Sequence, residues 1–288
     1  MTSKFLICFP QGGINDMWSR IQQMISYCEK EERILVIDTT KNWFNDDWQD
    51  YFSISSPIVY KGVTPELITN LLKQDVFPSE FQGKTHEELN RVLWVTEGLM
   101  TMNGVCVSFP LNLSYKESVV VYAYCATFLD IMQIFPKIQF TEEILTEFRR
   151  RRNMLPEKYI SVHIRNTDHK SNMDEFINNH RHILENAPLF LAGDDFNSIE
   201  RCKSEFNNVY TFSVIPDLGG ANIHESEIAQ KLRTTPEETR NWNINAILDF
   251  LLLTQGQSIF CSCHNSGFSR SAMQLQYAYS NNKMQPFY

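Results

Sequence analysis

The sequence predicts an α/β protein of two domains, each built on a parallel β-sheet flanked by helices. Its 288 residues are long for one compact domain and sufficient for two cores. The first residues show a strand, a glycine turn, a helix and a second strand, and residues 158–277 alternate strand and helix patterns regularly. Because parallel strands need a crossover connection, which is usually a helix, both patterns favour parallel sheets.

The elements of the first half follow from apolar spacing. Residues 4–9 form a short apolar run that stops at Pro10, and a turn with Gly12 and Gly13 follows. Apolar side chains then recur at helical spacing up to Lys30, and residues 33–38 are apolar again. The rest of this half has helix patterns at 65–74, 86–95 and 141–152, strand patterns at 105–108 and 118–125, and a loop-rich stretch at 39–60.

A break at Asn153–Pro156 predicts the domain boundary, which gives an N-terminal domain at 1–153 and a C-terminal domain at 154–288. Beyond the break the pattern is typical of a doubly wound domain. Strands are predicted at 158–164, 189–192, 209–212 and 258–261, and helices at 174–185, 196–206, 236–254 and 267–277.

Composition and charge exclude several classes of function. A formal net charge of −8 argues against a nucleic-acid partner. We interpret the run Arg149–Arg152 as a solvated helix terminus, with an anion-binding or membrane-surface patch as the alternative. No window reaches the roughly 18 apolar residues that a membrane span needs. The seven cysteines are odd in number and lie mostly in apolar runs, which predicts buried reduced thiols and a cytoplasmic location, without disulfides or a zinc site.

Ligands of open parallel sheets bind beyond the carboxyl ends of the strands, so the residues that follow each apolar run are site candidates. After the first strand, Gly12 and Gly13 allow a ligand to approach the free N–H groups of the next helix closely. The alternative is a plain structural turn in which Asn15 and Asp16 belong to the helix cap.

Polar residues also follow the first strand of the second domain. Arg165 offers a planar fork of N–H donors that matches phosphate oxygens. The alternative is a buried Arg165–Asp168 ion pair, with His163 as a satisfied core histidine. Asp174 and Glu175 come next and are candidates for a general base, although acidic residues are also favoured at a helix N-terminus by the helix dipole.

Two further places are unusual. Asp249 lies within the apolar helix pattern 246–253, where a charge has to face a ligand, a partner or water. Ser266 and Arg270 flank the turn into the last helix. A ligand role and a structural role are both open for these three residues.

These motifs, in this order, resemble those of the fucosyltransferase-like superfamily, which includes the core, nodulation-factor and protein O-fucosyltransferases. The resemblance covers most of the C-terminal half, and the combination is far more specific than any one part. The matching segments are Gly12–Asn15; His163–Asp168, where the family has His-x-Arg-Arg-Thr-Asp; Phe190–Asp195, which matches Phe-Leu-Ala-x-Asp-Asp; and Asp249 with Asn265, Ser266 and Arg270.

The resemblance implies two facing Rossmann-like domains of GT-B-like architecture, with the acceptor side in 1–153 and the nucleotide sugar in 154–288. It also implies an inverting, metal-independent glycosyltransferase. GDP-fucose is the first expectation for the donor, a glycan for the acceptor, and no cofactor or metal is implied. The lack of an Asp-x-Asp triplet in the sequence agrees with this. By the same resemblance Arg165 neutralises the donor's β-phosphate, and the other donor-side positions are Gly12, Gly13, Asn15, His163, Asp194, Asp249, Asn265, Ser266 and Arg270.

Two departures from the family pattern leave parts of the function open. Asn166 stands where the family often has a second arginine, and Met173 stands where core fucosyltransferases have their base. Transfer of another sugar, such as xylose from a UDP- or GDP-sugar, is therefore one alternative, and a non-catalytic glycan- or nucleotide-sugar-binding protein is another. The candidates for the base are Asp16, Asp168, Asp174 and Glu175, with the first two preferred by position.

Overall fold

A computed structural model of the chain describes residues 3–91, 93–95, 99–102, 105–125, 130–219 and 233–285. The chain divides into two compact units, Met1–Gln139 and Phe140–Tyr288. The division precedes the sequence break at Asn153–Pro156, because the helix before that break packs within the second unit. In the described part of the chain, no helix is long and apolar enough to cross a membrane.

The first unit contains a parallel sheet of four strands. Strand β1 (Lys4–Gln11) lies between β2 (Arg33–Ile37) and β8 (Val119–Cys125), and β4 (Val76–Phe77) pairs with the outer side of β8. Helix α1 (Ile14–Lys30) connects β1 to β2 and buries its apolar residues. The predicted strand, turn, helix and strand at the N-terminus are therefore confirmed.

Shorter elements complete the first unit. Strand β3 (Phe52–Ile54) pairs with β9 (Ile138–Phe140), and helix α2 (Pro65–Leu71) is capped by the Thr64 hydroxyl. Strands β5 (Leu93–Val95), β6 (Leu99–Met102) and β7 (Val105–Ser108) form an antiparallel sheet.

One predicted helix of this unit is wrong. The pattern at 86–95 is a short 3-10 helix, Glu87–Arg91, followed by strand β5. The end of the pattern is rich in large apolar and β-branched residues, which suit a strand once a partner strand is beside them.

The second unit has the predicted alternation. Helix α3 (Glu142–Met154) leads into strand β10 (Ile160–Ile164), and α4 (Met173–Leu184), β11 (Leu189–Gly193), α5 (Phe196–Glu205) and β12 (Val209–Tyr210) follow. Helix α6 (Pro236–Leu253), strand β13 (Ile259–Cys261) and helix α7 (Gly267–Ser280) end the described chain. The four strands form a parallel sheet in the order β12-β11-β10-β13. The predicted α/β class with Rossmann-like units is confirmed.

Close backbone packing anchors the central strand β10 at its N-terminal end. The hydroxyls of Tyr159 and Ser161 donate to the carbonyls of Leu252 and Leu253, at 2.7 and 2.9 Å. A Cβ on Gly256 would lie 2.3 Å from the Ser161 hydroxyl oxygen, so only glycine fits there. With this end of β10 anchored, the opposite end is free to present polar residues.

The arginine run of α3 is only partly solvated. Arg149 and Arg150 pair with glutamates on the surface, as predicted for a helix terminus. Arg151 is instead buried, because α3 packs on α6 and places this guanidinium between Glu147 and Asn245. The prediction of a solvated run is wrong at this residue.

The cysteine side chains that the structure describes are not paired with one another. Cys8, Cys28 and Cys202 are buried as predicted, and burial raises the pKa of Cys28 and of Cys202 to about 12. Cys261 and Cys263 are only half-buried. The side chains of Cys106 and Cys125 lie outside the described residues.

Candidate functional site

The candidate site of the second unit lies at the carboxyl end of β10, where Arg165 follows the strand. One guanidinium nitrogen of Arg165 lies 2.7 Å from Asp168 Oδ2 and the other lies 2.8 Å from Asp194 Oδ2. The side chain remains 22% exposed. The Arg165–Asp168 pair that the alternative interpretation predicted is present, but the guanidinium is not sealed in a core and has N–H donors left for a ligand.

Asp194 organises the loop after β10. It follows β11, which pairs with β10 so that Gly193 lies opposite Ile164. Its carboxylate accepts the Asn166 backbone N–H at 2.8 Å and the Thr167 hydroxyl at 2.7 Å, in addition to Arg165. A carboxylate with three donors holds the guanidinium in one orientation.

Serine hydroxyls support the backbone of Arg165 from two neighbouring segments. Ser262, just after β13, accepts the Arg165 N–H at 3.0 Å, and Ser171 donates to the Arg165 carbonyl at 2.6 Å. Sequence reasoning missed both serines. There was a sequence signal for Ser262 only, which follows a predicted strand end as the other candidates do. Ser171 had no such signal.

His163 is a buried and satisfied histidine. Its Nδ1 lies 2.6 Å from the Ser269 hydroxyl oxygen, and the Phe268 ring lies 5.0 Å from the imidazole ring. Burial, together with the nearby charge of Arg165, lowers the pKa of His163 to about 3. The ring is therefore neutral at physiological pH and does not offer a positive charge to phosphate.

Asp249 is buried in α6, with 7% of its surface exposed. Burial raises its pKa to about 6, against the opposite effects of the Ser213 hydroxyl and the Arg151 charge. Its Oδ1 has no hydrogen-bond partner among the described residues. Because buried polar atoms are nearly always paired, this oxygen is a natural acceptor for an N–H or O–H group of a ligand.

The turn into α7 carries the remaining donor-side residues that were predicted in the second unit. Ser266 is buried and caps the helix by accepting the Ser269 N–H at 3.4 Å. Asn265 and Arg270 are exposed on either side of it. Ser269 bonds both the Ser266 cap and His163, so the turn is joined to the end of β10.

The acidic candidates of the second unit differ in environment. Burial acts to raise the pKa of Asp168, but the charges of Arg165 and His169 outweigh it and hold that pKa below its ordinary value. The carboxylate of Asp174 is 76% exposed and lies 3.2 Å from an Arg201 nitrogen. Glu175 lies in the first turn of α4, where its N–H bonds the Asn172 side chain. Neither helix residue contacts Arg165, Asp168 or Asp194 in the structure.

In the first unit the glycine turn opens the N-terminus of α1. Gly12 has a φ of +96°, which only glycine adopts freely, whereas Gly13 has an ordinary φ of −68° and no side-chain cap. A Cβ on Gly13 would meet nothing closer than Asp16 Oδ2 at 4.0 Å. Asn15 is buried with an Oδ1 that has no partner within the described chain. The conformation explains Gly12, but the described residues give no steric reason for Gly13.

Solved structures of fucosyltransferases share this fold over most of the chain. NodZ alpha-1,6-fucosyltransferase soaked with GDP-fucose has a TM-score of 0.60 and 16% identity, over 95% of this chain and 92% of its own. POFUT1 in complex with GDP has a TM-score of 0.52 and 9% identity, over 96% of each chain. Arabidopsis thaliana FUT1 in complex with GDP has a TM-score of 0.52 and 11% identity, over 95% of this chain and 68% of its own.

The chain has the fucosyltransferase-like fold. This confirms the sequence resemblance at the level of the fold, and the roles of individual residues stay predictions. No protein-family model matches the chain, and no curated protein matches it. Within the described ranges, no three His, Cys, Asp or Glu side chains are grouped so that they could hold a metal ion.

Proposed function

We propose that the chain transfers L-fucose from GDP-fucose to a hydroxyl group of a glycan or similar acceptor, with inversion at the sugar and without a metal ion. The observation that carries the proposal is the guanidinium of Arg165, which two carboxylates hold at a strand end of a fucosyltransferase-like fold. NodZ and POFUT1 structures with this fold contain GDP-fucose or GDP. A cytoplasmic place of action belongs to the proposal and is supported by the burial of Cys8, Cys28 and Cys202 without a cysteine partner among the described residues.

Arg165 would act on the leaving group. As the bond between the sugar and the diphosphate breaks, negative charge grows on the β-phosphate. A guanidinium that is already oriented stabilises this charge without reorganisation, so it favours the transition state over the ground state. Asp194 and Asp168 supply the orientation at 2.8 and 2.7 Å. A phosphate oxygen would compete mainly with Asp168, the more exposed of the two carboxylates.

Asp249 supports a guanine nucleotide. Its buried Oδ1 has no partner among the residues that the structure describes, so it is suited to accept a donor from the ligand. Guanine presents adjacent N–H donors on one edge, including its amino group, whereas uracil presents a single N–H between two carbonyls. Oδ1 could accept from either or both of the adjacent guanine donors, whereas uracil would offer it a single N–H. GDP is therefore the expected nucleotide, and UDP is the alternative.

Thermal unfolding with GDP, with UDP, and with each nucleotide plus EDTA tests the donor site. A ligand at 100 times its dissociation constant stabilises the folded state by about 2.7 kcal/mol. We expect GDP to raise the melting temperature more than UDP does, with no effect of EDTA. A shift that needs a divalent ion contradicts the metal-independent proposal, and a larger shift with UDP contradicts the assignment of the base.

Release of GDP from GDP-fucose tests catalysis separately from binding. The purified protein should release GDP with water as acceptor, and faster with a glycan acceptor. A protein that binds GDP but releases none from GDP-fucose would be the non-catalytic binding protein.

A further inference from the structure

The side chain of Asn166 is bonded through both its oxygen and its nitrogen. Its Nδ2 donates to the Ser198 hydroxyl at 2.9 Å and lies 3.4 Å from Asp195 Oδ2. Its Oδ1 accepts the Ser171 backbone N–H at 2.7 Å. Ser171 lies just before α4, whereas Asp195 and Ser198 belong to the N-terminal cap of α5. Because an amide has an acceptor and a donor side by side, one side chain joins both segments of the second unit.

An arginine at this position could not make the same set of bonds. A guanidinium has only N–H donors, so it offers nothing to the Ser171 N–H. The fucosyltransferase-like pattern often has its second arginine here, and Asn166 is therefore not a shorter equivalent of that residue. The bond to Ser171 indicates that this chain uses the position to hold its own backbone.

Through Ser171, the Asn166 side chain fixes the loop that begins with Arg165. The Ser171 hydroxyl donates to the Arg165 carbonyl at 2.6 Å, while the Ser171 N–H is held by Asn166. The Lys170 ammonium donates to the Asn166 carbonyl at 3.1 Å across the same loop. The two ends of the loop 165–171 are therefore closed on one another, and Ser171 is kept in place to support the Arg165 backbone.

Through α5, Asn166 is also tied to the carboxylate that orients Arg165. One oxygen of Asp194 accepts the Asn166 backbone N–H at 2.8 Å, and the other lies 2.8 Å from an Arg165 guanidinium nitrogen. Asp195, the next residue, caps α5 by accepting the Ser198 N–H at 3.0 Å. Asn166 thus meets Asp194 with its backbone and Asp195 with its amide, so the loop and the orienting carboxylate are held in one arrangement.

We propose that Asn166 is the positioning residue of Arg165, and that its amide keeps the guanidinium aligned with the donor's β-phosphate during transfer; this rests on the proposed fucosyl transfer. Arg165 is 22% exposed and can meet a phosphate, whereas the Asn166 amide is engaged within the protein at both polar atoms. A misaligned guanidinium still attracts the bound diphosphate by its charge. It stabilises the growing charge of the leaving group less, because it first has to be reoriented. Loss of the amide therefore lowers kcat and leaves donor binding unchanged.

A double-mutant cycle tests this dependence on Arg165. GDP release from GDP-fucose is measured for wild type, Asn166→Ala, Arg165→Lys and the double variant. We expect Asn166→Ala to lower kcat by about 10- to 100-fold, with the KM for GDP-fucose and the GDP-induced rise in melting temperature unchanged. In the Arg165→Lys background the same substitution should change kcat by less than about 2-fold, because the planar fork that it positions is already absent. A residue that only supports the fold lowers kcat by the same factor in both backgrounds.

Two further variants complete the experiment. Ser198→Ala removes the acceptor of Asn166 Nδ2 and leaves the asparagine in place. It should repeat part of the loss in kcat, and it takes the place of Asn166→Ala in the cycle if that variant does not fold. Asn172→Ala is the matched control, because the Asn172 side chain caps α4 by accepting the Glu175 N–H at 3.1 Å. This variant should lower the melting temperature through the lost cap and keep its kcat.

Four results would overturn the proposal. They are an unchanged kcat in Asn166→Ala, an equal fold loss in both backgrounds, a raised KM with unchanged kcat, which would make Asn166 a direct donor contact, and a loss of kcat in Asn172→Ala as large as that in Asn166→Ala. Failure of the proposed fucosyl transfer is distinguishable, because wild type then releases no GDP. If Arg165→Lys is as active as wild type, the phosphate role of Arg165 and the positioning role of Asn166 are both refuted.

Discussion

Arg165→Lys separates the proposed catalytic role of this residue from a purely structural one. Lysine keeps the positive charge but lacks the planar fork, so it can meet Asp168 or Asp194 but not both in the present geometry. Asp194 would still accept bonds from Asn166 and Thr167. One lost bond between charged partners that are partly exposed costs about 1–2 kcal/mol of folding free energy. For a unit of this size, that is a fall of a few degrees in melting temperature.

The expected effect on rate is much larger. Loss of one preorganised donor to a developing negative charge costs about 10²–10³ in rate, or roughly 2.7–4 kcal/mol of transition-state stabilisation. The assay measures GDP release from GDP-fucose and the melting temperature on the same preparation. Arg181→Lys is the matched control, because Arg181 pairs with Glu205 at 2.7 Å on helices of the same unit and should keep its rate. An unchanged rate in a destabilised Arg165→Lys protein would refute the phosphate role.

Three other substitutions test single features of the site. The pKa of Asp249 is raised to about 6 in the folded state, whereas it is about 4 in the unfolded chain. The contribution of Asp249 to stability is therefore fully present below pH 4 and is lost as the pH rises through 6. We therefore expect Asp249→Asn to have a higher free energy of unfolding in urea than wild type, by about 2–3 kcal/mol above pH 7 and by little near pH 4. A difference between the two proteins that does not vary with pH would contradict the raised pKa. We expect Gly13→Ala to keep its melting temperature, since the structure has room for the Cβ, and to lose GDP release, since the family resemblance implies a donor-side role for Gly13. Gly12→Ala, at a φ of +96°, should instead lose stability, and equal behaviour of the two alanine variants would show that Gly13 is only a turn residue.

Much of the fold could be predicted from local patterns. The strands and helices of the second unit were predicted to within a few residues, because apolar periodicity there is regular and the turns are marked by polar residues. The pattern at 86–95 failed for a physical reason. Leu93–Val95 is a strand only because Leu99–Met102 pairs with it, and a pairing partner is not visible in a single segment.

The residues of the candidate site could likewise be predicted only in part from the sequence. Arg165 and Asp194 could be predicted as site residues since each follows an apolar run, and the 2.8 Å contact between them required that β10 and β11 be neighbours. Ser262 and Ser171 could not be found from sequence. A serine near a strand end is common, and only the packed loop shows that these two support the backbone of Arg165.

The sequence by itself determined the α/β class, the edge of each sheet where polar residues gather, and the resemblance to fucosyltransferases. These depend on periodicity and on motif order, which are local properties of the chain. Only the tertiary structure decided which of four adjacent arginines is buried, since Arg151 differs from its neighbours solely in facing α6. It alone also joined Asn166 to Ser198, because a contact across 32 residues depends on how strands and loops pack and leaves no trace in either segment.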